Sequence, residues 1–189
     1  LKPANAKPLD EVLEAIHEAE AIVLGPGSLY TSVMPNLIVP GISEAIKSSK
    51  AVKIYICNIM TQPGETDGYT VADHIKAIED HTYKGIIDFC IVNTAPIPQK
   101  LKEKYLEEGA QVVRIDYEKI KDLNIEMIYY DLIDVNNNFL RHNPGKLAKV
   151  VTDIIGQTSK SKRSRINYKM SGETSFQWNT SQGKGIFRS

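Results

Sequence analysis

Short apolar runs alternate along this chain with segments whose apolar residues repeat at helical spacing. That alternation predicts an α/β fold, a mostly parallel β-sheet covered by helices on both faces. The predicted strands are residues 21–24, 52–57, 86–92, 112–115 and 127–133. The predicted helices are residues 9–20, 41–49, 70–81, 98–108 and 144–155, and residues 136–138 are predicted to form a turn.

Composition places most of the chain in one folded domain. Its 189 residues are 42% hydrophobic and 24% charged, which suits a domain with a sizeable core. No apolar run approaches the roughly 20 residues of a membrane-spanning helix, and the first residues do not resemble a signal peptide. Because the chain lacks an initiator Met, we expect it to begin inside a longer protein. Cys57 and Cys90 both fall in strand-like runs, which favours buried thiols in a reducing cytosol over a disulfide or a metal site.

The last part of the chain differs in composition from the rest. Residues 158–189 contain seven Lys or Arg and a single acid, Glu173. Since no apolar period runs through them, we expect a folded domain over residues 1–157 and a basic, polar, disordered tail over residues 158–189. The alternatives are a basic arm that contacts nucleic acid or anionic lipid, which we disfavour, and a segment that is not native to the domain.

The first apolar run ends abruptly at a glycine-rich loop, Gly25-Pro26-Gly27. Glycines let backbone amides approach a ligand closely, and the proline stiffens the turn between them. The hydroxyl-bearing residues that follow are Ser28, Tyr30, Thr31 and Ser32. This order of strand, glycine loop and helix start predicts a cradle for phosphate or a sugar phosphate, with an ordinary tight turn as the equal alternative. It is neither a Walker loop, which needs a Lys, nor the dinucleotide fingerprint, which needs a third glycine.

Two further polar loops, residues 58–69 and 93–96, also follow predicted strands. Ligands of parallel sheets bind beyond the carboxyl ends of the strands, so we expect these loops to gather with the glycine loop at one edge. Asn58, Thr61 and Gln62 carry neutral groups that suit ribose or sugar hydroxyls. Glu65 is a candidate for binding a sugar hydroxyl or for acting as a general base, and equally for a solvated loop acid.

Other ionisable side chains allow more than one interpretation. His74 and His81 lie seven residues apart, about 10.5 Å along a helix axis, which is too far for both to ligate one ion. We therefore expect helix-start and packing roles for Asp73 and the two histidines, and no metal site. Arg141 is a candidate for binding a diphosphate through its guanidinium, with a surface ion pair as the alternative. From its local pattern, Tyr105 is a half-buried helix residue.

The polar motifs taken together resemble the bacterial gluconeogenesis factor family, YvcK, which belongs with the 2-phospho-L-lactate transferase, or CofD-like, proteins. The strings that carry the resemblance are Gly25-Pro26-Gly27-Ser28-Leu29-Tyr30-Thr31-Ser32, Pro35-Asn36-Leu37, Cys57-Asn58-Ile59-Met60-Thr61-Gln62-Pro63-Gly64-Glu65-Thr66, Asp73-His74 and Leu140-Arg141-His142. The resemblance runs over residues 1–155. Family members open with a Gly-Gly-Gly-Thr-Gly loop that this chain lacks, so the chain resembles their C-terminal half. It also carries Asn143 where the family usually has Asp.

The resemblance implies a three-layer Rossmann-like fold that binds a nucleotide sugar such as UDP-N-acetylglucosamine. It also implies a cytoplasmic protein needed for cell shape and for growth on gluconeogenic carbon sources. A tyrosine and an arginine that matter for nucleotide-sugar binding in the family correspond by motif to Tyr105 and Arg141. The full set of expected binding residues is Gly25, Gly27, Ser28, Tyr30, Thr31, Asn58, Thr61, Gln62, Glu65, Tyr105 and Arg141.

Two functional classes stay open. One is a nucleotide-sugar regulator without turnover, and the other is a transferase that moves a phospho-group or a nucleotide-linked moiety, as CofD-like enzymes do. Such transferases typically read Gly-Pro-Ser-Asn-Pro where this chain reads Gly25-Pro26-Gly27-Ser28-Leu29. That difference, and the lack of an evident acid–base pair, favour the regulator. The catalytic residues, if any, and the oligomeric state, a homo-oligomer included, stay open.

Overall fold

Four parallel strands form the central sheet of the computed structural model, in the spatial order β1-β2-β3-β4. Their bounds are β1 Ala21–Leu24, β2 Val52–Ile56, β3 Phe89–Asn93 and β4 Glu126–Tyr130. Leu24 pairs with Tyr55 and Ile56 with Ile91, so the carboxyl ends of the first three strands share one edge. The structure describes residues 6–136, 139–160, 175–179 and 184–188, and only the backbone of residues 159–160 and of the last two ranges.

Helices and two short antiparallel strand pairs complete the described part of the chain. The helices are α1 Asp10–Glu18, α2 Met34–Leu37, α3 Ile42–Ser48, α4 Val71–His81, α5 Gln99–Glu107, α6 Tyr117–Ile120 and α7 Pro144–Lys160. A π-helical turn, Leu29–Val33, precedes α2. The strand pairs are β5 Ile133–Asn136 with β6 Phe139–His142, and β7 Ser175–Asn179 with β8 Lys184–Arg188.

Helices cover both faces of the sheet. On one face, α3 and α4 bury Ile46 and Ile75 in the same apolar cluster as Tyr55 of β2. On the opposite face, α7 buries Val150 in a second cluster with Ile54. Neighbouring residues of a strand point to opposite faces, so β2 needs apolar side chains at successive positions. The predicted α/β fold, a parallel sheet between two helical layers, is confirmed.

Both cysteines lie inside the apolar core. Cys57 and Cys90 are free and buried, as the sequence predicts. Burial raises the pKa of the Cys57 thiol to about 12 and places the pKa of the Cys90 thiol well above its usual value. Both groups are therefore protonated thiols at neutral pH, and they contribute to the core as small apolar side chains.

Helix α4 begins where the sequence predicts, because its first turn is capped. The Thr70 hydroxyl accepts a hydrogen bond from the Asp73 amide at 3.3 Å, and the Asp73 carboxylate accepts one from the Thr70 amide at 3.0 Å. This reciprocal pair satisfies amides that a helix start leaves unpaired. Nδ1 of the buried His74 lies 2.8 Å from the Thr70 carbonyl. The predicted helix-start and packing roles of Asp73 and His74 are confirmed.

A small apolar cluster joins α5 and β6 to the loop that follows β2. It contains Ile59, Ile97, Leu101 and Leu140, all at most 7% exposed. These side chains come from segments up to 81 positions apart, and they share one buried volume outside the two layers around the sheet. The cluster therefore holds the β5–β6 pair against the carboxyl edge of the sheet.

The predicted strand at residues 112–115 does not join the sheet. This segment forms only isolated bridges, one between Val112 and Met60 and one between Arg114 and Thr70. Its backbone is hydrogen-bonded to the polar loop after β2, because Val113 N donates to the Ile59 carbonyl at 3.0 Å. The prediction of a sheet strand was wrong because an apolar run also suits a segment that packs across strand ends.

The last sheet strand is shorter than predicted. It ends at Tyr130 rather than at residue 133, because the chain turns there and Leu132 N donates to Asn93 Oδ1 at 3.0 Å. The same Asn93 oxygen accepts from Ala95 N at 3.3 Å, so the predicted third polar loop braces the sheet edge. In the predicted turn, Asn136 ends β5, and residues 137–138 lie outside the described residues.

The C-terminal segment is described only in part. Helix α7 continues to Lys160, five residues beyond its predicted end. The predicted disordered tail falls largely outside the described residues, which include from it only the end of α7 and the antiparallel pair β7–β8. None of the helices in the described ranges combines the length and apolar character needed to cross a bilayer.

Candidate functional site

A cavity of about 380 Å³ opens at the carboxyl edge of the sheet. Four separate segments line it: the glycine loop after β1, the polar loop after β2, helix α5 and strand β6. The lining residues are Pro26, Gly27, Asn58, Ile59, Met60, Tyr105, Leu140, Arg141 and His142. Two of the three polar loops therefore meet at one edge, as the strand order predicts.

The glycine loop depends on the absence of side chains at two positions. Gly25 has a φ of 92°, and a Cβ there would lie 3.2 Å from the Ile56 carbonyl oxygen. A Cβ on Gly27 would lie 3.0 Å from the Ser32 Cβ. The Gly25–Pro26 peptide is cis. Glycine is thus required for the loop to pass this close to β2 and to the turn that follows.

Two apolar side chains of the π-helical turn after the loop are buried in the core. Leu29 and Val33 are buried in the main core, at 1% and 6% exposure. The amides of Ser32 and Val33 both donate to the Ser28 carbonyl, at 2.9 and 3.0 Å. These contacts fix the position of the turn, and the turn therefore fixes the preceding Pro26 and Gly27 at the cavity wall.

The hydroxyl residues of that turn do not line the cavity. The Tyr30 hydroxyl lies 2.9 Å from the Tyr69 hydroxyl, and its ring packs edge-on against His81. The hydrogen bond with Tyr69, together with burial, raises the pKa of Tyr30 to about 12. Ser28 and Thr31 also lie outside the cavity lining, as does Gly25.

The polar side chains of the loop after β2 form hydrogen bonds within the loop and to Gln111. The Thr61 hydroxyl accepts from the Gln111 amide at 2.9 Å, and Gln62 Nε2 donates to Glu65 Oε1 at 2.9 Å. The hydroxyl of the fully buried Thr66 accepts from the Gln62 amide at 2.8 Å. Of the expected residues in this loop, only Asn58 lines the cavity. The others hold the loop in shape.

Arg141 places a guanidinium at the cavity wall. Its Nη1 donates to the Leu140 carbonyl at 3.0 Å, and its guanidinium carbon lies 5.4 Å from the centre of the Phe139 ring. Asp134 is its partner across the β5–β6 pair, yet within the described residues no carboxylate forms an ion pair with Arg141. A guanidinium held in this way is available to bind an anion.

His142 is a cavity residue that the sequence analysis did not select. Burial lowers the pKa of its imidazole, and a hydrogen bond with the Cys57 backbone opposes that shift. Its Nε2 is buried with no hydrogen-bond partner among the described residues. The Arg-His string in the resemblance was the signal that could have found it. The sequence analysis also did not select the apolar residues of the cavity wall, because it searched for polar side chains. These residues are Pro26, Ile59, Met60 and Leu140.

The cavity lining suits a ligand that has both an anionic group and uncharged polar groups. Of its described lining residues none is a carboxylate, and Arg141 is the permanent cation among them. Asn58 supplies an amide, Tyr105 a phenol, and Ile59 and Met60 an apolar surface. In the described ranges, no group of three or more His, Cys, Asp and Glu is placed to hold a metal ion.

Comparisons with known proteins point to one family. The model of the family described as 2-phospho-L-lactate transferase CofD matches residues 1–133. The chain is 50% identical over 161 residues to the gluconeogenesis factor of Halalkalibacterium halodurans, covering 85% of this chain and 50% of that protein. It is 44% identical over 155 residues to the gluconeogenesis factor of Bacillus subtilis, covering 82% and 49%.

A solved structure matches as well. A crystal structure of a UPF0052-family protein from Bacillus halodurans superposes with a TM-score of 0.77 at 52% identity, covering 79% of this chain and 48% of that one. The chain thus spans about half the length of the curated relatives it matches.

Proposed function

The chain belongs to the 2-phospho-L-lactate transferase CofD family, and on that premise we propose that its cavity binds a nucleotide sugar such as UDP-N-acetylglucosamine. Relatives named gluconeogenesis factor are up to 50% identical to it. We propose the same role here, in carbon metabolism and cell shape during gluconeogenic growth, for a cytoplasmic protein.

One observation carries the proposal: four segments bring Gly27, Asn58, Tyr105 and Arg141 to the same cavity. These residue types suit the groups of a nucleotide sugar. A guanidinium pairs with a diphosphate in a forked geometry. A glycine backbone approaches phosphate closely, and amide and phenol groups bond ribose or sugar hydroxyls.

Binding without turnover is the first candidate. General acid–base catalysis needs a titratable group within hydrogen-bond reach of the reacting atom. Among the described lining residues, His142 is the one imidazole, and burial lowers its pKa below the ordinary value. The loop Gly25-Pro26-Gly27-Ser28-Leu29 also departs from the transferase pattern.

Transfer of a phospho-group or a nucleotide-linked moiety is the second candidate. It is favoured by the family match itself, because residues 1–133 fit a model described as a transferase. Incubating the chain with a nucleotide-linked lactyl or phosphoenolpyruvyl donor, with water or an added alcohol as the acceptor, and following the transferred group by mass spectrometry separates the transferase from the regulator. Catalytic product formation would replace the regulator with the transferase.

Calorimetric titration with UDP-N-acetylglucosamine tests the binding proposal. We expect saturable binding that Arg141→Ala weakens by about 1.5–3 kcal/mol, the range for hydrogen bonds to a charged group. Arg114→Ala removes an exposed arginine that does not line the cavity and should bind as the parent does. Lack of saturable binding by the parent, or equal affinity of Arg141→Ala, would refute the assignment.

A further inference from the structure

Two cations lie against one aromatic ring beside the cavity. Lys104 Nζ is 4.0 Å from the centre of the Phe139 ring, and the Arg141 guanidinium carbon is 5.4 Å from the same centre. Both distances are measured to the same ring centre, so the separation of the two charges cannot exceed the sum of the two distances. Phe139 is 46% exposed, so this pair of cations faces solvent at the cavity rim.

We propose that Lys104 and Arg141, held against the Phe139 ring, form a two-cation clamp that binds the diphosphate of the ligand. This inference rests on the proposed nucleotide-sugar site and assigns its phosphate-binding group. Arg141 supplies a forked donor and Lys104 a compact point charge, two complementary ways of binding adjacent phosphates. Phe139 is a positioning residue, because its ring lies against both cations.

The clamp is placed at the cavity by contacts of its neighbours. Tyr105 follows Lys104 on α5 and lines the cavity, and the Lys104 ammonium lies 5.9 Å from the Tyr105 ring centre. The Tyr105 hydroxyl accepts a hydrogen bond from the Leu140 amide at 3.0 Å, next to Arg141. Helix α5 and strand β6 are thus joined at the point where each contributes a cation.

Each of the two cations has one acidic neighbour in the described part of the chain. Lys104 pairs with Glu108 on the next turn of α5, at 4.0 Å and with the Glu108 side chain 54% exposed. Asp134 lies across the strand pair from Arg141, and no ion pair between these two occurs in the described part of the chain. A diphosphate has two phosphate groups, so each can contact one cation, whereas a monophosphate has a single group to share between them.

The test compares diphosphates with monophosphates on the full 189-residue chain. Inorganic pyrophosphate, orthophosphate, UMP and UDP-N-acetylglucosamine are titrated by calorimetry into the parent, Lys104→Met and Phe139→Leu. Lys102→Met is the matched control, because Lys102 is an exposed lysine on the same helix that does not contact Phe139. Thermal unfolding of each variant accompanies the titrations.

We expect Lys104→Met to lower the affinity for pyrophosphate and UDP-N-acetylglucosamine roughly tenfold, and that for orthophosphate and UMP by less than about threefold. Phe139→Leu should reduce the same diphosphate preference, since the cations lose their common support. Added salt should weaken diphosphate binding by the parent more than by Lys104→Met. Lys102→Met should retain the parent affinities for all four compounds.

Each contrary outcome points to a different failure. If UDP-N-acetylglucosamine binds and depends on Arg141 but not on Lys104, the clamp is refuted and the proposed function stands. If pyrophosphate binding depends on Lys104 but UDP-N-acetylglucosamine does not bind, the clamp stands and the proposed function is refuted. An equal loss for all four compounds makes Lys104 merely structural and refutes the clamp. No binding of any compound by the parent refutes both.

Discussion

The hydroxyl of Tyr105 accepts a hydrogen bond from the backbone amide of Leu140 at 3.0 Å, across 35 positions of sequence. This contact joins the last turn of α5 to β6 at the cavity wall. A buried or half-buried amide needs a partner, and here the partner is a side chain rather than another strand. The relationship explains why a tyrosine from an ordinary amphipathic helix reaches a polar site.

Replacing Tyr105 with Phe should affect both stability and binding. The ring remains, but the Leu140 amide loses its acceptor, which costs about 1 kcal/mol of unfolding free energy. We also expect weaker binding of UDP-N-acetylglucosamine, because β6 carries Arg141 next to that amide. Urea unfolding and calorimetric titration measure the two effects.

Tyr83→Phe is the matched control for that change. Tyr83 is exposed and donates to Glu44 at 3.0 Å, so it also loses one hydroxyl hydrogen bond. It should lose at most about 0.5 kcal/mol of stability, as exposed polar contacts do, with no change in affinity. If Tyr83→Phe and Tyr105→Phe behaved alike in both assays, the Tyr105–Leu140 contact would have no special role.

Gly25→Ala tests the steric requirement at the glycine loop. The new Cβ would meet the Ile56 carbonyl oxygen at 3.2 Å, in a backbone conformation at φ 92° that Ala adopts poorly. We expect a loss of about 1–3 kcal/mol in stability. Gly64→Ala is the control, because Gly64 also has positive φ, 78°, but open space around its Cβ position.

Denaturant unfolding separates the two contributions. Gly64→Ala measures the cost of positive φ alone, so Gly25→Ala should be the more destabilised by the contact with β2. Equal losses in the two variants would mean that the close approach at Ile56 relaxes without cost. Weaker ligand binding is expected for Gly25→Ala only, since the Gly25 loop lines the cavity through Gly27.

Thr70→Val should destabilise the start of α4. Valine keeps the shape of threonine, but it removes the cap of the Asp73 amide and the hydroxyl that lies 2.6 Å from Asp116 Oδ2. We expect a loss of about 1–2 kcal/mol, measured as a lower urea midpoint. Thr152→Val, at an exposed α7 hydroxyl bonded to the Ala148 carbonyl, should change the midpoint little. A midpoint unchanged in Thr70→Val would show that the cap is dispensable.

Stability should fall as the pH is lowered through the range in which unfolded histidine takes up a proton. Burial lowers the pKa of both His74 and His142 below the ordinary value of 6.5. The unfolded state therefore binds protons at a higher pH than the folded state does. Their contribution is fully present above pH 6.5 and is lost as the pH falls toward the folded values.

Unfolding midpoints measured between about pH 5 and pH 8, a range that spans the titration of unfolded histidine, check this dependence. His142→Gln should flatten the fall, because it removes one of the two buried imidazoles. A parent midpoint that did not change over this range would contradict the assignment of neutral buried imidazoles.

Several features followed from local pattern alone. The runs that became β2 and β3 needed apolar residues at successive positions, because both faces of the sheet are covered there. The start of α4 followed from the spacing of Thr70 and Asp73, which suits a reciprocal cap. The glycine loop followed from Gly25 and Gly27, since only glycine fits its backbone.

Other features depended on which elements pack together. Residues 112–115 are as apolar as a strand, yet they bridge the loop at Met60 rather than extend the sheet. The Tyr30 hydroxyl forms a hydrogen bond with the hydroxyl of Tyr69, which is 39 positions away in the sequence. Neither of these two pairings can be predicted from the neighbouring residues in the sequence, because tertiary contacts determine both.

The amino-acid sequence by itself determined the layered α/β fold, the glycine loop and the family, since period, turn chemistry and motif are local properties. Only the tertiary structure decided that Tyr105 and Arg141 share a cavity with Gly27 and Asn58, and that Lys104 joins Arg141 at Phe139. The physical reason is that these contacts depend on a small buried cluster that holds α5 and β6 at the carboxyl edge of the sheet. No residue pattern within either element encodes that position.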